Sequence, residues 1–124
     1  SSDLPHGDRL AACGEEKTVK IWDAKSYELL HTLTGHTDPI ETVVISPDGK
    51  TAASGGYDQT IRIWDLATAR TIAVLRGHGG PIYNLRFDKE GKWLFSASGD
   101  RTVREWNVDF DRNLFSPVLN LSLD

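Results

Sequence analysis

The sequence predicts an all-β protein in which small antiparallel sheets of four strands recur about three times. Three observations support this fold class. Trp22, Trp64 and Trp106 are spaced 42 residues apart, each at the end of a similar run. Short β-branched segments alternate with turns rich in glycine, proline and aspartate, as is typical of antiparallel strands. No segment has the sustained 3.6-residue period of an amphipathic helix.

The second repeat is the most complete and predicts four strands. The segment SPDGK, after the first strand, has hairpin-turn chemistry, and GGYD provides the next turn. The four strands are predicted at Ile40–Ile45, Thr51–Ser54, Thr60–Asp65 and Thr71–Leu75.

The third repeat follows the same plan, whereas the first is truncated. The third predicts Ile82–Phe87, Trp93–Ser98, Thr102–Trp106 and a fourth strand near Asn113–Phe115. The first predicts Leu10–Cys13, Thr18–Trp22 and Glu28–Leu33. The chain thus divides into a truncated unit at 1–36, a complete unit at 37–78, and a third unit with a C-terminal strand at 79–124. That C-terminal strand is expected at Val118–Leu123, where apolar and polar residues alternate. It is either the fourth strand of the last blade or the missing innermost strand of a first blade, which would close a ring.

The predicted sheets are apolar on both faces, as the segments IRIW and VKIW show. Each sheet must therefore be packed between neighbours, and radial repetition of four-stranded sheets in a β-propeller satisfies that need. Three blades do not close a ring. We therefore expect a homo-oligomer, or further blades supplied by another chain segment. The sequence leaves open whether the chain is a fragment, an oligomer or a subunit that docks on another chain.

A second set of residues repeats with the same period and resembles a known family. Gly35-His36 and Gly77-His78 each precede a Ser, an Asp and a strand Trp at matching distances. This combination resembles the WD-repeat β-propellers. The resemblance implies a buried hydrogen-bonded tetrad in each blade. The tetrads would be His36, Ser54, Asp58 and Trp64 in the second blade, and His78, Ser96, Asp100 and Trp106 in the third.

The two ends of the chain depart from this pattern. Ala12 and Glu16 stand where Ser and Asp are expected in the first unit, and Asn107 replaces the Asp after the third Trp. Glu105 occupies the position of Ile63, where a charge is out of place on a face that should pack against another sheet. A regular centre with altered ends is expected of terminal repeats.

His, Ser and Asp together also suggest a nucleophilic triad. The set occurs twice, each time linked to a strand Trp, and no nucleophile-elbow sequence surrounds Ser54 or Ser96. The structural interpretation is therefore favoured, and we expect no catalytic residues. The four histidines lack metal-ligand spacing, and Asp48-Gly49 lacks the other ligands of a calcium loop. We expect neither a metal site nor a cofactor.

Composition limits the partners. The formal net charge of −4 argues against nucleic acid or an anionic membrane as the main partner. The chain has no signal-peptide pattern and no apolar run of 18 residues, and we expect a cytoplasmic protein. The single Cys13 excludes an internal disulfide framework.

Function is therefore expected to lie on the surface. The resemblance implies docking on the face that carries the turns before the first strand and between the second and third strands. The candidate partner-binding residues there are Glu15, Glu41, Tyr57, Tyr83 and Gly99. Tyrosines are typical anchors of protein interfaces, and the two glutamates favour a basic segment.

The predicted function is a non-enzymatic scaffold that presents loop surfaces to a partner protein or peptide. Two alternatives stay open at this point. One is a regulatory or sensor propeller segment of a larger enzyme or signalling protein. The weaker one is a propeller enzyme with a site in its central channel.

Overall fold

The computed structural model describes residues 8–14 and 16–110, and this part of the chain is all-β without a helix. The described residues therefore contain no helix that could span a membrane. The ten strands are β1 (Arg9–Cys13), β2 (Thr18–Asp23), β3 (Leu29–Thr34), β4 (Ile40–Ile45), β5 (Thr51–Gly56), β6 (Ile61–Asp65), β7 (Arg70–Leu75), β8 (Ile82–Phe87), β9 (Trp93–Ser98) and β10 (Val103–Asn107).

The strands form three antiparallel sheets that follow the repeats. Sheet I has the order β1-β2-β3, sheet II the order β4-β5-β6-β7, and sheet III the order β10-β9-β8. Each strand pairs with its sequence neighbour, as expected when short turns connect antiparallel strands. The predicted all-β class with propeller-type sheets is confirmed.

Most predicted strand bounds agree with the structure within one or two residues. Ile40–Ile45, Ile82–Phe87 and Trp93–Ser98 have the predicted bounds. The largest difference is in β5, which continues past Ser54 because Gly56 still pairs with Ile40 across a bulge in β4. The strands predicted near Asn113–Phe115 and at Val118–Leu123 lie outside the described residues.

Sheet II lies between the other two sheets because its strands alternate their side chains between two apolar clusters. On β6, Ile61 and Ile63 join a cluster with residues of sheet III, including Trp106. The adjacent Trp64 joins a second cluster with Val19 of sheet I. Ile63 and Trp64 are each only 1% exposed, and burying an isoleucine side chain of this kind contributes about 1.5–3 kcal/mol.

A close backbone approach fixes the turn that leaves β5. A Cβ added at Gly56 would lie 2.2 Å from the carbonyl oxygen of Pro39. The next amide, that of Tyr57, donates a hydrogen bond to the same oxygen at 3.0 Å. Only glycine at position 56 allows the backbone to come this close to Pro39. The turn therefore begins at a defined residue and places Tyr57 at the edge of the sheet.

The far face of sheet III, which points away from sheet II, is chemically mixed. Glu105 and Arg86 are opposite Phe95 on its two neighbouring strands. Both charged side chains are exposed, and Val103 on the same face is 72% exposed. Among the described residues, no sheet packs over the charge at Glu105.

Candidate functional site

Four side chains of sheet II form one hydrogen-bonded network. His36, which follows β3, lies with Nδ1 2.7 Å from Asp58 Oδ2 and with Nε2 2.7 Å from Ser54 Oγ. The indole Nε1 of Trp64 donates to the same Ser54 oxygen at 2.8 Å. The network thus connects the turn after β3 to β5, β6 and the turn between them.

Sheet III repeats this arrangement. His78 lies with Nδ1 3.1 Å from Asp100 Oδ2 and with Nε2 2.6 Å from Ser96 Oγ. Trp106 donates its Nε1 hydrogen to Ser96 at 2.8 Å. The two sets named from the sequence are therefore each brought together by the fold.

Both networks also include a threonine that was not predicted to belong to the tetrad. The amide and hydroxyl of Thr60 donate to Asp58 Oδ1 at 3.0 and 2.8 Å. The amide of Thr102 donates to Asp100 at 2.9 Å, and its hydroxyl contacts the same carboxylate. The two threonines are 42 residues apart, which was the available signal for their role.

The hydrogen-bond pattern fits a neutral histidine. The Ser54 oxygen accepts a hydrogen bond from the Trp64 indole, so the Ser54 hydroxyl hydrogen can be donated to His36 Nε2. The other ring nitrogen of His36 then carries a hydrogen, and its Nδ1–H donates to Asp58. Burial lowers the pKa of His36 against the opposing effect of Asp58. Burial raises the pKa of Asp58, but hydrogen bonds from His36 and Thr60 outweigh it and leave that pKa lowered.

The serine–histidine–aspartate geometry resembles that of a nucleophilic triad, but the serines are inaccessible. Ser54 is fully buried and Ser96 is 1% exposed. Each hydroxyl oxygen also accepts an indole N–H. A nucleophilic hydroxyl must be accessible to its substrate. Neither hydroxyl meets that condition, and the arrangement stabilises the sheets instead.

Among the described residues of sheet I, Ala12 stands at the serine position of this network, and a cavity lies beside it. Ala12, Glu16, Thr18 and Lys20 are the counterparts of Ser54, Asp58, Thr60 and Arg62, and they line a cavity of about 300 Å³. Glu16 and Lys20 form an ion pair at 3.5 Å. In sheet I an ion pair thus joins the positions that Asp58 and Arg62 occupy in sheet II.

Four of the five residues proposed for partner binding lie in a continuous row at the turn edge. Tyr57 and Tyr83 are in contact edge to face, with ring centroids 6.4 Å apart. A Cβ at Gly99 would lie 3.1 Å from Cε2 of Tyr83, so the ring lies against the glycine backbone. Glu41 and Gly99 are exposed, as are the two tyrosines. The fifth residue, Glu15, lies outside the described residues.

Glu41 governs the electrostatics at one end of this row. Its charge is the main cause that raises the pKa of Tyr57, together with desolvation and a hydrogen bond from the phenol. The pKa of the Cys13 thiol is also raised, first by burial and then by Glu41. The row therefore runs from an acidic end at Glu41, through two aromatic rings, to the open backbone at Gly99.

Side chains that commonly bind metal ions are dispersed in the described part of the chain. Across residues 8–14 and 16–110, no three His, Cys, Asp or Glu side chains are grouped so as to hold a metal ion.

Comparison with known proteins agrees with the repeat architecture. The family model described as WD domain, G-beta repeat matches residues 2–23, 27–65 and 69–107. The chain is 44% identical over 41 residues to the F-box-like/WD repeat-containing protein TBL1X of Mus musculus, covering 33% of this chain and 8% of that protein. It is 42% identical over 41 residues to the Lissencephaly-1 homolog of Caenorhabditis briggsae, covering 33% and 10% respectively.

A plant protein gives a similar result over a shorter segment. The chain is 47% identical over 34 residues to the Topless-related protein 4 of Arabidopsis thaliana, covering 27% of this chain and 3% of that protein. The matched segments span a tenth or less of the length of these relatives.

Proposed function

Because the chain belongs to the WD-repeat family of β-propeller proteins, we propose that it is a non-enzymatic scaffold that binds a partner protein or peptide. The binding surface is the row formed by Glu41, Tyr57, Tyr83 and Gly99, with Glu15 as a further predicted contact. The tetrads of sheets II and III serve as the rigid support of this surface.

The observation that carries the proposal is the exposed contact between Tyr57 and Tyr83, which are 45% and 51% exposed. The two rings come from different sheets, so their contact depends on the packing between those sheets. Tyrosine is enriched at interface hot spots because a large rigid ring and a polar hydroxyl are presented at low entropic cost. A preformed tyrosine pair on a supported edge fits that role.

The partner segment we propose is basic. Glu41 places a carboxylate beside the aromatic pair, and a Lys or Arg side chain over a tyrosine face gains both charge attraction and a cation–π contact. The chain's net charge of −4 attracts such a partner at long range.

The test is a peptide selection followed by a matched set of variants. A random peptide library is selected on the intact protein, and the affinity of the enriched peptide is measured by calorimetry. We expect enrichment of Lys or Arg. Tyr57→Ala combined with Tyr83→Ala should weaken binding by about tenfold or more, and Glu41→Gln should weaken it and reduce its salt dependence.

Tyr27 provides the matched control, because it is 72% exposed in the turn between β2 and β3, away from the row. Its positive φ of 60° makes Tyr27→Asn the suitable substitution. This variant should bind the peptide like the unaltered protein. Unchanged affinity after loss of both Tyr57 and Tyr83 would rule out the row as the docking surface.

The second candidate function is a regulatory or sensor segment of a larger enzyme or signalling protein. The small share of each relative that this chain matches supports a place within a longer polypeptide. In that case the same row recruits a partner to the larger protein. The variants described above test the role of the row in either function.

A further inference from the structure

A second surface lies at the opposite end of the sheets, between sheets II and III. Here a cleft of about 300 Å³ opens beside the turns that join the first and second strands of each sheet. Its apolar side is formed by Ile72, Val108 and Phe110, and Glu90 and Asp109 are among its acidic residues. The volume is at the lower end of the range for binding pockets.

The charged residues that line the cleft are mostly acidic. Four carboxylates line it, those of Asp48, Asp65, Glu90 and Asp109, against the single ammonium group of Lys92. Asp65 is already engaged, because its oxygens accept from the Ala67 amide and the Thr68 hydroxyl. These hydrogen bonds fix the turn that follows β6.

Glu90 and Asp109 differ from the turn-fixing acids. Within the part of the chain that the structure describes, neither side chain has a hydrogen bond or ion pair. Both residues are exposed. Two carboxylates therefore flank an apolar surface without a partner among the described residues.

The repeat sets Asp109 and Phe110 apart, whereas Glu90 matches another acid, Asp48, one period earlier. One period earlier, at the junction of sheets I and II, the positions of Asp109 and Phe110 are held by Ala67 and Thr68. That junction packs sheets I and II together through its own apolar cluster without an acid or an aromatic ring at those positions. Phe110 is half-buried against the apolar cluster shared by sheets II and III, so its ring has a packing role as well as a place in the cleft. The exposed Asp109 has no such packing role.

We propose that this cleft binds an arginine side chain of a partner protein, at a site separate from the tyrosine row. A guanidinium group combines the properties that the cleft complements: a planar cation that stacks on an aromatic ring, and donors that pair with carboxylates. The methylene stem of arginine packs on apolar surface while its head stays polar, which matches Ile72 and Val108. The scaffold then contacts partners at both ends of its sheets.

The experiment titrates the intact, isotope-labelled protein with N-acetyl-arginine amide and follows the backbone amides by NMR. We expect saturable shifts at Gly91, Lys92 and Asp109, with a dissociation constant in the millimolar range expected of a single side chain. N-acetyl-citrulline amide is the neutral control of equal shape and should bind at least about tenfold more weakly. Equal shifts from both compounds, or none at these amides, would overturn the proposal.

Variants separate this site from its alternatives. Glu90→Gln with Asp109→Asn should abolish the arginine shifts, whereas Glu28→Gln with Asp38→Asn, which removes two acids elsewhere, should leave them. Retained binding in the first pair would contradict the proposal. Tyr57→Ala with Tyr83→Ala should not alter the cleft, so failure of the proposed docking row and failure of this site are distinguishable.

Two further outcomes identify a different occupant. If N-acetyl-lysine amide binds as tightly as the arginine compound, the cleft recognises charge alone and the arginine assignment is wrong. If Arg112→Gln raises the affinity for the arginine compound by about tenfold or more, the chain's own segment competes for the cleft, and a partner's arginine is not its occupant.

Discussion

The Ser54 hydroxyl lies 2.8 Å from the indole nitrogen of Trp64, and it is the atom through which Trp64 and His36 are joined. Because one oxygen accepts from the indole and donates to the imidazole, its removal leaves two buried groups without partners. The corresponding hydroxyl of Ser96 has the same two partners in sheet III.

Ser54→Ala should therefore destabilise the protein. The indole N–H and the imidazole nitrogen both lose their hydrogen bond inside the core, at a cost of about 1–3 kcal/mol in the free energy of unfolding. Urea denaturation followed by tryptophan fluorescence measures the change. Ser26→Ala, at an exposed position in the turn after β2, is the control and should change the midpoint little. Equal midpoints for the two variants would show that the hydroxyl is not structurally important.

Gly56→Ala should also destabilise the protein, but for a steric reason. The added Cβ would meet the backbone carbonyl of Pro39 at 2.2 Å, and backbone atoms shift only with the strand that carries them. Overpacking of this kind costs about 1–3 kcal/mol. Gly14 is the same position one repeat earlier, and a Cβ there meets nothing within 4 Å. Gly14→Ala should therefore leave thermal stability close to that of the unaltered protein, and a loss as large as that of Gly56→Ala would contradict the steric account.

The stability of the fold should decrease as the pH falls below about 6.5. The pKa of His36 is lowered by burial in the folded state, so only the unfolded chain takes up the proton in this window. The contribution of His36 to the free energy of unfolding is complete above the pKa of the unfolded state. It is lost as the pH falls through the pKa of the folded state. Urea unfolding between pH 7.5 and 5 measures the slope, and His36→Gln should make it smaller. An unchanged slope in that variant would assign the pH dependence to other groups.

Tyr57 should titrate at a higher pH than a free tyrosine because the adjacent Glu41 charge disfavours the phenolate. The folded state therefore favours the neutral phenol, and that preference is lost as the pH rises through the raised pKa. NMR of ring-labelled tyrosine measures the midpoint, and Glu41→Gln should lower it. Glu28→Gln removes a charge from the turn after β2 and should leave the midpoint unchanged. A midpoint insensitive to Glu41 would show that the two side chains do not interact.

The sequence predicted the sheets better than the contacts between them. The period of 42 places Ile40–Ile45 and Ile82–Phe87 in matching strands, because strand pairing within a sheet follows turn chemistry and alternation. The same period groups the tetrad residues, since each tetrad forms within one sheet and the turn before it. Local rules therefore sufficed for these features.

Contacts between different repeats were not predictable in the same way. Tyr57 and Tyr83 were each named as candidate surface residues, but their ring contact depends on how sheet II is rotated against sheet III. The cleft at Asp109 and Phe110 depends on the same packing. The sequence signal for this cleft was that Asp109 and Phe110 differ from Ala67 and Thr68 one period earlier. That difference can be interpreted only when the structures of the two sheet junctions are compared.

The far face of sheet III should determine how strongly this chain associates with itself. In sheet II the row Val44, Ala53 and Ile63 packs against sheet III. One period later the same row is Arg86, Phe95 and Glu105. Burying either charge against an apolar sheet without a partner is costly, so these residues oppose packing by another copy of the same blade.

Arg86→Val with Glu105→Ile restores the apolar row and should therefore promote association. We expect a higher mass, or aggregates, by light scattering over a range of protein concentrations, because a large apolar face is then exposed. Lys25→Val with Glu28→Ile adds similar apolar side chains at exposed positions of the turn after β2, and should leave the mass unchanged. If both pairs raise the mass equally, general hydrophobicity explains the association and the far face is not specific. If the first pair has no effect, the charges at Arg86 and Glu105 do not limit self-association through this face.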